Sequence, residues 1–203
     1  MLNLRKVAIT GGLASGKTTV CQILSDLGAC VISADSIAHK LLTPETELGQ
    51  KVIQLFGRSI LVDEKIDRNR VANQAFNNPG KLRVLESLLH PPVYDEIQRL
   101  YLHADESGKY PLFVAEVPLL FESGGEEFFD TTIAVFCPTM QSAERFSEKT
   151  GFEREEYDRR MAFQLTPEKK MEKADFVIEN IETFENLKKQ TTALFNQLAE
   201  KKS

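Results

Sequence analysis

The chain has 203 residues, 42% hydrophobic and 27% charged, with a formal net charge of −5, enough for one globular unit with a substantial core but short for two independent domains. That mixture excludes a disordered chain, and the absence of any long basic run excludes a nucleic-acid-binding footprint. No apolar run approaches the roughly 18 residues of a membrane span, and the opening stretch 1–6 carries no signal-peptide core, so no membrane partner and a cytoplasmic location are expected.

The three cysteines, Cys21, Cys30 and Cys137, each sit in or beside an apolar stretch and read as buried free thiols suited to a reducing compartment. His39, His90 and His103 lack metal-ligand spacing.

In chain order, residues 6–10 form a first β-rich apolar run, followed at once by Gly11, Gly12, Leu13, Ala14, Ser15, Gly16, Lys17 and Thr18. This fits G-x-x-x-x-G-K-[ST], the phosphate-binding loop. Such a loop must wrap backbone N–H groups around a phosphate, and glycines permit the backbone angles and close approach that a Cβ obstructs. Gly12, Leu13, Ala14, Ser15, Gly16, Lys17, Thr18 and Thr19 are therefore expected to bind a nucleotide, ATP. Lys17 would neutralise the β- and γ-phosphates, and the Thr18 hydroxyl would enter a magnesium shell. An apolar-periodic helix over 18–27, closed by Gly28, points its positive end at the phosphates.

A second strand is expected over 30–33, and Asp35 lies just past its end. Ligands of open parallel sheets gather at the carboxyl ends of strands. A carboxylate there can take a proton from an attacking hydroxyl or support magnesium through water. It can equally cap a helix beginning near Ile37, and the two roles are compatible.

The stretch before the third strand, over 112–117, is too long for one crossover helix and is patterned like several. Within it, helices are expected over 81–90 and 93–103, with Pro91 and Pro92 forcing a break between them. No terminal Asp follows the third strand; Glu116 inside it either faces the magnesium site or makes a structural pair. A fourth strand is expected over 132–137 and a fifth over 176–180, with a charged insertion over 139–173 between them. Its Arg145, Lys149, Arg154, Arg159 and Arg160 are mostly solvated surface; one or two delivered by a closing lid would stabilise charge on a transferring phosphoryl group. The C-terminal helix puts Leu187, Leu194, Phe195 and Leu198 on one face for core packing. The runs are nearly continuous in apolar character, so the class is α/β, a five-stranded parallel sheet with helices on both faces.

These pieces resemble the dephospho-coenzyme A kinase family. The resemblance rests on Ile9, Thr10, Gly11 and Gly12; Ala34 and Asp35; Leu89, His90 and Pro91; the run Val117, Pro118, Leu119, Leu120, Phe121 and Glu122; Arg160 with Gln164; and Ala174, Asp175, Phe176, Val177 and Ile178 with Asn180. It implies a nucleotide-kinase-like P-loop fold with a core of 1–39, 112–138 and 174–203, a helical coenzyme-A-binding insertion over 40–111 and a lid over 139–173. It also implies ATP- and magnesium-dependent phosphorylation of the ribose 3′-hydroxyl of dephospho-CoA, the last step of coenzyme A biosynthesis, by a monomer or weak homo-oligomer. Catalysis would fall to Asp35 as general base with Lys17 and Arg145 on the phosphoryl group. Asp35, His90, Pro118, Leu119 and Arg160 would hold the acceptor. Ser33 stands where the family usually has another Asp, and Lys149 with Thr150 replaces an Arg-Asp pair.

Regulatory GTPases share the phosphate loop but need Asn- or Thr-Lys-x-Asp for guanine. The nearest strings, from Glu64 to Asp67 and from Glu172 to Asp175, lack the first residue. Asp105 to Gly108 fits D-x-x-G but precedes a strand, whereas a switch loop follows one. Kinases of other small acceptors share fold and loop, so spacing alone leaves the acceptor open.

Overall fold

A computed structural model of the chain describes residues 4–200; residues 1–3 of the opening stretch and 201–203 of the C-terminal segment lie outside the described residues. In chain order the elements are β1 (Arg5–Gly11), α1 (Lys17–Asp26), β2 (Cys30–Ser33), α2 (Ala34–Leu41), α3 (Glu47–Phe56), β3 (Leu61–Val62), β4 (Lys65–Ile66), α4 (Arg68–Phe76) and α5 (Pro79–Ser107). There follow β5 (Leu112–Glu116), β6 (Thr131–Phe136), α6 (Thr139–Thr150), α7 (Arg154–Met161), α8 (Pro167–Lys173), β7 (Phe176–Glu179) and α9 (Phe184–Ala199). The chain divides into two compact units, one of residues up to Ser33 and from Leu100 onward, the other of Ala34–Arg99.

The first unit is built on a five-stranded sheet in the order β2-β5-β1-β6-β7, parallel throughout. All five strands expected from the sequence are present: the three central ones, β5, β1 and β6, are almost wholly buried, whereas the edge strands β2 and β7 are half-buried or partly exposed. Alternate residues point to opposite faces. Val7, Ile9, Val114, Ile133, Val135 and Ile178 share one core cluster with Val20, Ile23 and Leu24 of α1 and with Leu187, Phe195 and Leu198 of α9. Each such side chain removed from water contributes about 1.5–3 kcal/mol. Phe113 takes the edge of the Tyr101 ring, with centroids 5.4 Å apart, and the Tyr101 hydroxyl donates to the Leu4 carbonyl at 2.8 Å. β1 is central, flanked by β5 and β6, so the loop leaving it emerges where parallel sheets gather ligands.

Helix α1 ends as the sequence suggested. Gly28, at φ +98°, lets the Ala29 N–H reach the Leu24 carbonyl at 3.0 Å and closes the last turn. Asp175 fastens β7 to β6, its Oδ2 accepting from the Thr132 N–H at 2.8 Å and from the Thr132 hydroxyl at 2.9 Å. Cys21 and Cys137 are buried and Cys30 is half-buried, all three as free thiols.

The second unit holds α2, α3, the β3–β4 hairpin, α4 and the first part of α5. Val52, Phe56, Ile60, Val71, Ala75 and Leu85 form its core. Thr46 caps α3 and Asp67 caps α4 through side-chain oxygens. The hairpin carries no turn signature in its residues: its turn uses Asp63 and Glu64, both at positive φ, rather than the Asn-Gly or Asp-Gly pair that marks such turns.

Two local expectations are corrected. Helix α5 runs unbroken from Pro79 to Ser107 through Pro91 and Pro92. The prolines remove two N–H donors, but buried Leu85 before them and buried Val93 and Ile97 after them anchor both flanks in helical register. Helix α2 begins at Ala34 rather than near Ile37, so Asp35 lies in its first turn instead of at its N-cap. A carboxylate there still complements the helix dipole.

Candidate active site

The 11–18 loop turns from β1 into α1 with the Ser15 N–H bonded back to the Gly12 carbonyl at 3.3 Å. Two glycines are required sterically. A Cβ on Gly11 would overlap the Val135 carbonyl oxygen of β6, and one on Gly16, at φ +100°, would overlap Nδ2 of Asn180. Ala14 also adopts positive φ, at 54°. Leu13 and Ala14 are backed by a cluster of Ala143, Phe146 and Tyr157 from α6 and α7, in which the Tyr157 hydroxyl meets the Ser142 hydroxyl at 2.7 Å.

Gly16 is the N-cap of α1 and offers no side-chain cap, and the first turn carries no acid. The leading N–H groups of α1 are therefore left without a side-chain acceptor from the cap or an acid in the first turn, and together with the helix dipole they favour an anion there. Nζ of Lys17 donates to the carbonyls of Gly11 at 3.1 Å and Gly12 at 2.8 Å. Ser15 is 1% exposed, and its hydroxyl has no partner among the described residues. A buried hydroxyl without a partner, beside a collar of amides and one ammonium, matches a phosphate oxygen in chemistry and place.

Glu116, at the carboxyl end of β5, accepts a hydrogen bond from the Thr18 hydroxyl at 3.2 Å. The sequence left this residue between two roles; the structure puts it at the phosphate loop. Two hard oxygens side by side suit magnesium, which binds few protein ligands and keeps waters and phosphate oxygens. Among the described residues no group of three or more His, Cys, Asp or Glu could hold a metal alone. The Cys21 thiol nearby is pushed well above its usual range, chiefly by burial and further by the Glu116 carboxylate, and is no nucleophile.

Arg145 of α6 donates to the Asn180 carbonyl at 3.3 Å and to the Cys137 sulfur at 3.4 Å. Asn180 in turn donates Nδ2 to the Ser15 carbonyl at 2.8 Å. Arg145 is thus one residue removed from the phosphate loop. Neither Asn180 nor its clamp was singled out in the candidate site, although Asn180 closes the last strand and a polar residue at a strand's carboxyl end is a usable signal.

Pro118 sits in a buried network. Its carbonyl accepts from the Thr10 hydroxyl at 3.1 Å and from Nζ of Lys170 at 2.6 Å. Lys170 is fully buried and pairs with Glu122 at 2.9 Å; Glu122 also accepts from the Leu165 N–H at 2.8 Å. Burial lowers the Lys170 ammonium's affinity for its proton, against the pull of Glu122. Helix α8 thereby fastens to the segment that follows β5, with Pro167 and Met161 over Gly12. Leu119, next in that segment, is half-buried.

Arg160 is not brought to the loop. Its Nε bonds Glu156 at 2.8 Å, and its guanidinium lies over the rings of Phe146 and Phe152. Arg154 and Arg159 are likewise paired, with Asp158 and Glu156. Asp35 and His90 belong to the second unit. There Asp35 lines a cavity with Ser36, His39, Lys40 and Arg68, and His90 is half-buried on α5, its imidazole made less basic by burial.

The sequence pattern of the dephospho-CoA kinase family matches residues 5–186. A dephospho-CoA kinase of Protochlamydia amoebophila is 45% identical over 199 residues, covering 98% of each chain. Among solved structures, the dephospho-CoA kinase from Campylobacter jejuni superposes with a TM-score of 0.70 at 30% identity over 96% of both chains. A shikimate kinase from Acinetobacter baumannii, 15% identical with a TM-score of 0.52, covers 97% of this chain and 94% of its own and shares the fold. With the family pattern and a near full-length relative on the same phosphate-loop architecture, the chain belongs to the dephospho-CoA kinase family.

Proposed function

We infer that the chain is an ATP-dependent kinase that phosphorylates dephospho-CoA at its ribose 3′-hydroxyl to give coenzyme A. The observation that carries this is the collar around Ser15, joined to family membership across 5–186. The main-chain amides of 12–19, the Lys17 ammonium and the buried Ser15 hydroxyl hold the triphosphate. When bound, magnesium supplies positive charge at the phosphate oxygens, and the Thr18 hydroxyl and the Glu116 carboxylate would hold it. Phosphoryl transfer has a loose transition state, so orientation and charge neutralisation dominate over base strength.

Asp35, two residues beyond the end of β2, takes the proton of the 3′-hydroxyl. Arg145 steadies the transferring group. His90, Pro118, Leu119 and Arg160 line the acceptor's path, with 40–111 as the acceptor-binding insertion and 139–173 as a lid. Among the described residues no helix is long and apolar enough to cross a membrane, and three free thiols support a reducing, cytoplasmic setting. The protein acts as a monomer or weak homo-oligomer, without nucleic acid or membrane.

The test is a panel of acceptors, dephospho-CoA, nucleoside monophosphates, shikimate and gluconate, each incubated with ATP and magnesium and followed by product mass. Efficient gain of one phosphate on dephospho-CoA supports the reading; equal or better use of another acceptor refutes it.

A further inference from the structure

Pro118 is where the chain leaves the sheet. The Val117 N–H still continues the β5–β1 ladder, on the Ile9 carbonyl at 2.8 Å, but proline has no N–H for a further rung. Its carbonyl is held by two side chains instead, the Thr10 hydroxyl at 3.1 Å and Nζ of Lys170 at 2.6 Å. Both donors are fully buried. Thr10 is the last residue of β1 before the phosphate loop, whereas Lys170 reaches in from α8.

Lys170 and Pro167 stand three positions apart on α8 and so share one face. Pro167 is buried over the phosphate loop, its Cγ 3.4 Å from where a β-carbon on Gly12 would be. Glu122 closes the arrangement. Its Oε1 pairs with Lys170 at 2.9 Å and accepts from the Leu165 N–H at 2.8 Å, so one carboxylate grips both the helix and the residue before its Thr166 cap. One face of a short helix thereby touches the loop that holds the nucleotide and the 118–122 segment that follows β5. A buried ion pair is a poor source of stability, since apolar replacements of similar volume are often neutral or better. What an apolar pair cannot do is fix the direction of a main-chain carbonyl.

We propose that Lys170 is a positioning residue: with Glu122 it makes α8 a spacer of fixed length between the phosphate loop and the 118–122 segment, and so sets the acceptor's approach to the γ-phosphate. This rests on the reading that Pro118 and Leu119 line the acceptor's path. Lys170 acts through the Pro118 carbonyl and not on a substrate. The loop keeps its shape without it, because Asn180 clamps Ser15 independently. Transfer does depend on it, since a misplacement of about 1 Å costs on the order of 100-fold in rate.

Lys170→Met and the double variant Lys170→Met, Glu122→Leu are compared with wild type by urea denaturation, by calorimetric binding of ATP with magnesium, and by steady-state phosphorylation of dephospho-CoA. The single variant should be the less stable, and the double variant should regain part of that loss. Both should bind ATP within about two-fold of wild type, and both should show kcat/KM for dephospho-CoA lowered about 30- to 100-fold. A kinetic loss that persists when stability returns marks positioning, because a merely structural role recovers with the fold. The double variant decides the question by itself if the single one does not fold. Activity that returns together with stability overturns the proposal. So does an unchanged kcat/KM in the double variant, or a fall in ATP affinity that accounts for the whole loss. Wild-type turnover of dephospho-CoA, measured in the same series, tests the proposed function separately.

Discussion

Nδ2 of Asn180 donates to the main-chain carbonyl of Ser15 at 2.8 Å, and it lies where a β-carbon on Gly16 would have to go. The last strand of the sheet is thereby clamped to the middle of the phosphate loop, with the Asn180 N–H on the Phe136 carbonyl at 2.8 Å and Arg145 on the Asn180 carbonyl. Gly16→Ala introduces both an overlap and a side chain at φ +100°, a conformation L-residues avoid. It should lower kcat/KM for ATP by about 100-fold or more, since amide donors aimed at phosphate lose alignment. Asn180→Ala removes the clamp alone and should raise the KM for ATP by about 5- to 10-fold, the scale of one hydrogen bond. Steady-state kinetics with varied ATP decide both, and a Gly16→Ala enzyme of normal efficiency would contradict the packing described.

Removal of the base should act on chemistry rather than on nucleotide binding. Asp35→Asn is expected to reduce kcat by about 10²- to 10⁴-fold with the KM for ATP little changed, whereas Lys17→Ala should impair both. Single-turnover measurements at saturating ATP separate the two, and normal turnover in Asp35→Asn would remove that residue from the chemistry.

The Lys170–Glu122 pair is buried on the lysine side and about one-sixth exposed on the glutamate side. Lys170→Met leaves Glu122 without its cation and the Pro118 carbonyl with one donor fewer. It should cost about 3 kcal/mol of unfolding free energy, the range for breaking a buried pair. The double variant Lys170→Met, Glu122→Leu should recover part of that loss, because two apolar groups need no compensation. Urea denaturation of the single and double variants checks the sign and the coupling.

Burial lowers the affinity of His90 for a proton, so the folded-state value lies below the unfolded value near 6.5. Between the two the unfolded chain binds more protons, and stability rises with pH through that window. The penalty is complete below the folded value and gone above about 6.5. His90→Gln should therefore show a smaller loss of Tm between neutral pH and pH about 5.5 than wild type; an identical loss would show that His90 charges as easily in the fold as outside it.

The core of this fold was legible because its strands are continuous apolar runs and its loop has a fixed glycine spacing. What escaped has physical reasons. Pro91 and Pro92 read as a break because local rules weigh the missing donors, while burial of Leu85, Val93 and Ile97 decides the outcome. The β3–β4 hairpin has two residues per strand, too few for any period. Lys170 stands in the lysine-rich run PEKKMEK, where every lysine looks solvated; only the approach of Glu122 and Pro118 singles it out. Glu116 was visible as a carboxylate in a buried strand, but its role depended on the register that sets it beside Thr18.

The central claim is tested most directly by incubating the protein with magnesium, dephospho-CoA and ATP labelled in the γ-phosphoryl oxygens, then following product mass and its ³¹P spectrum. Transfer of one labelled phosphoryl group, appearing as a new phosphomonoester on the ribose 3′ oxygen with the diphosphate untouched, is the predicted result. Label released only as inorganic phosphate, or found on any other oxygen of the acceptor, would contradict it.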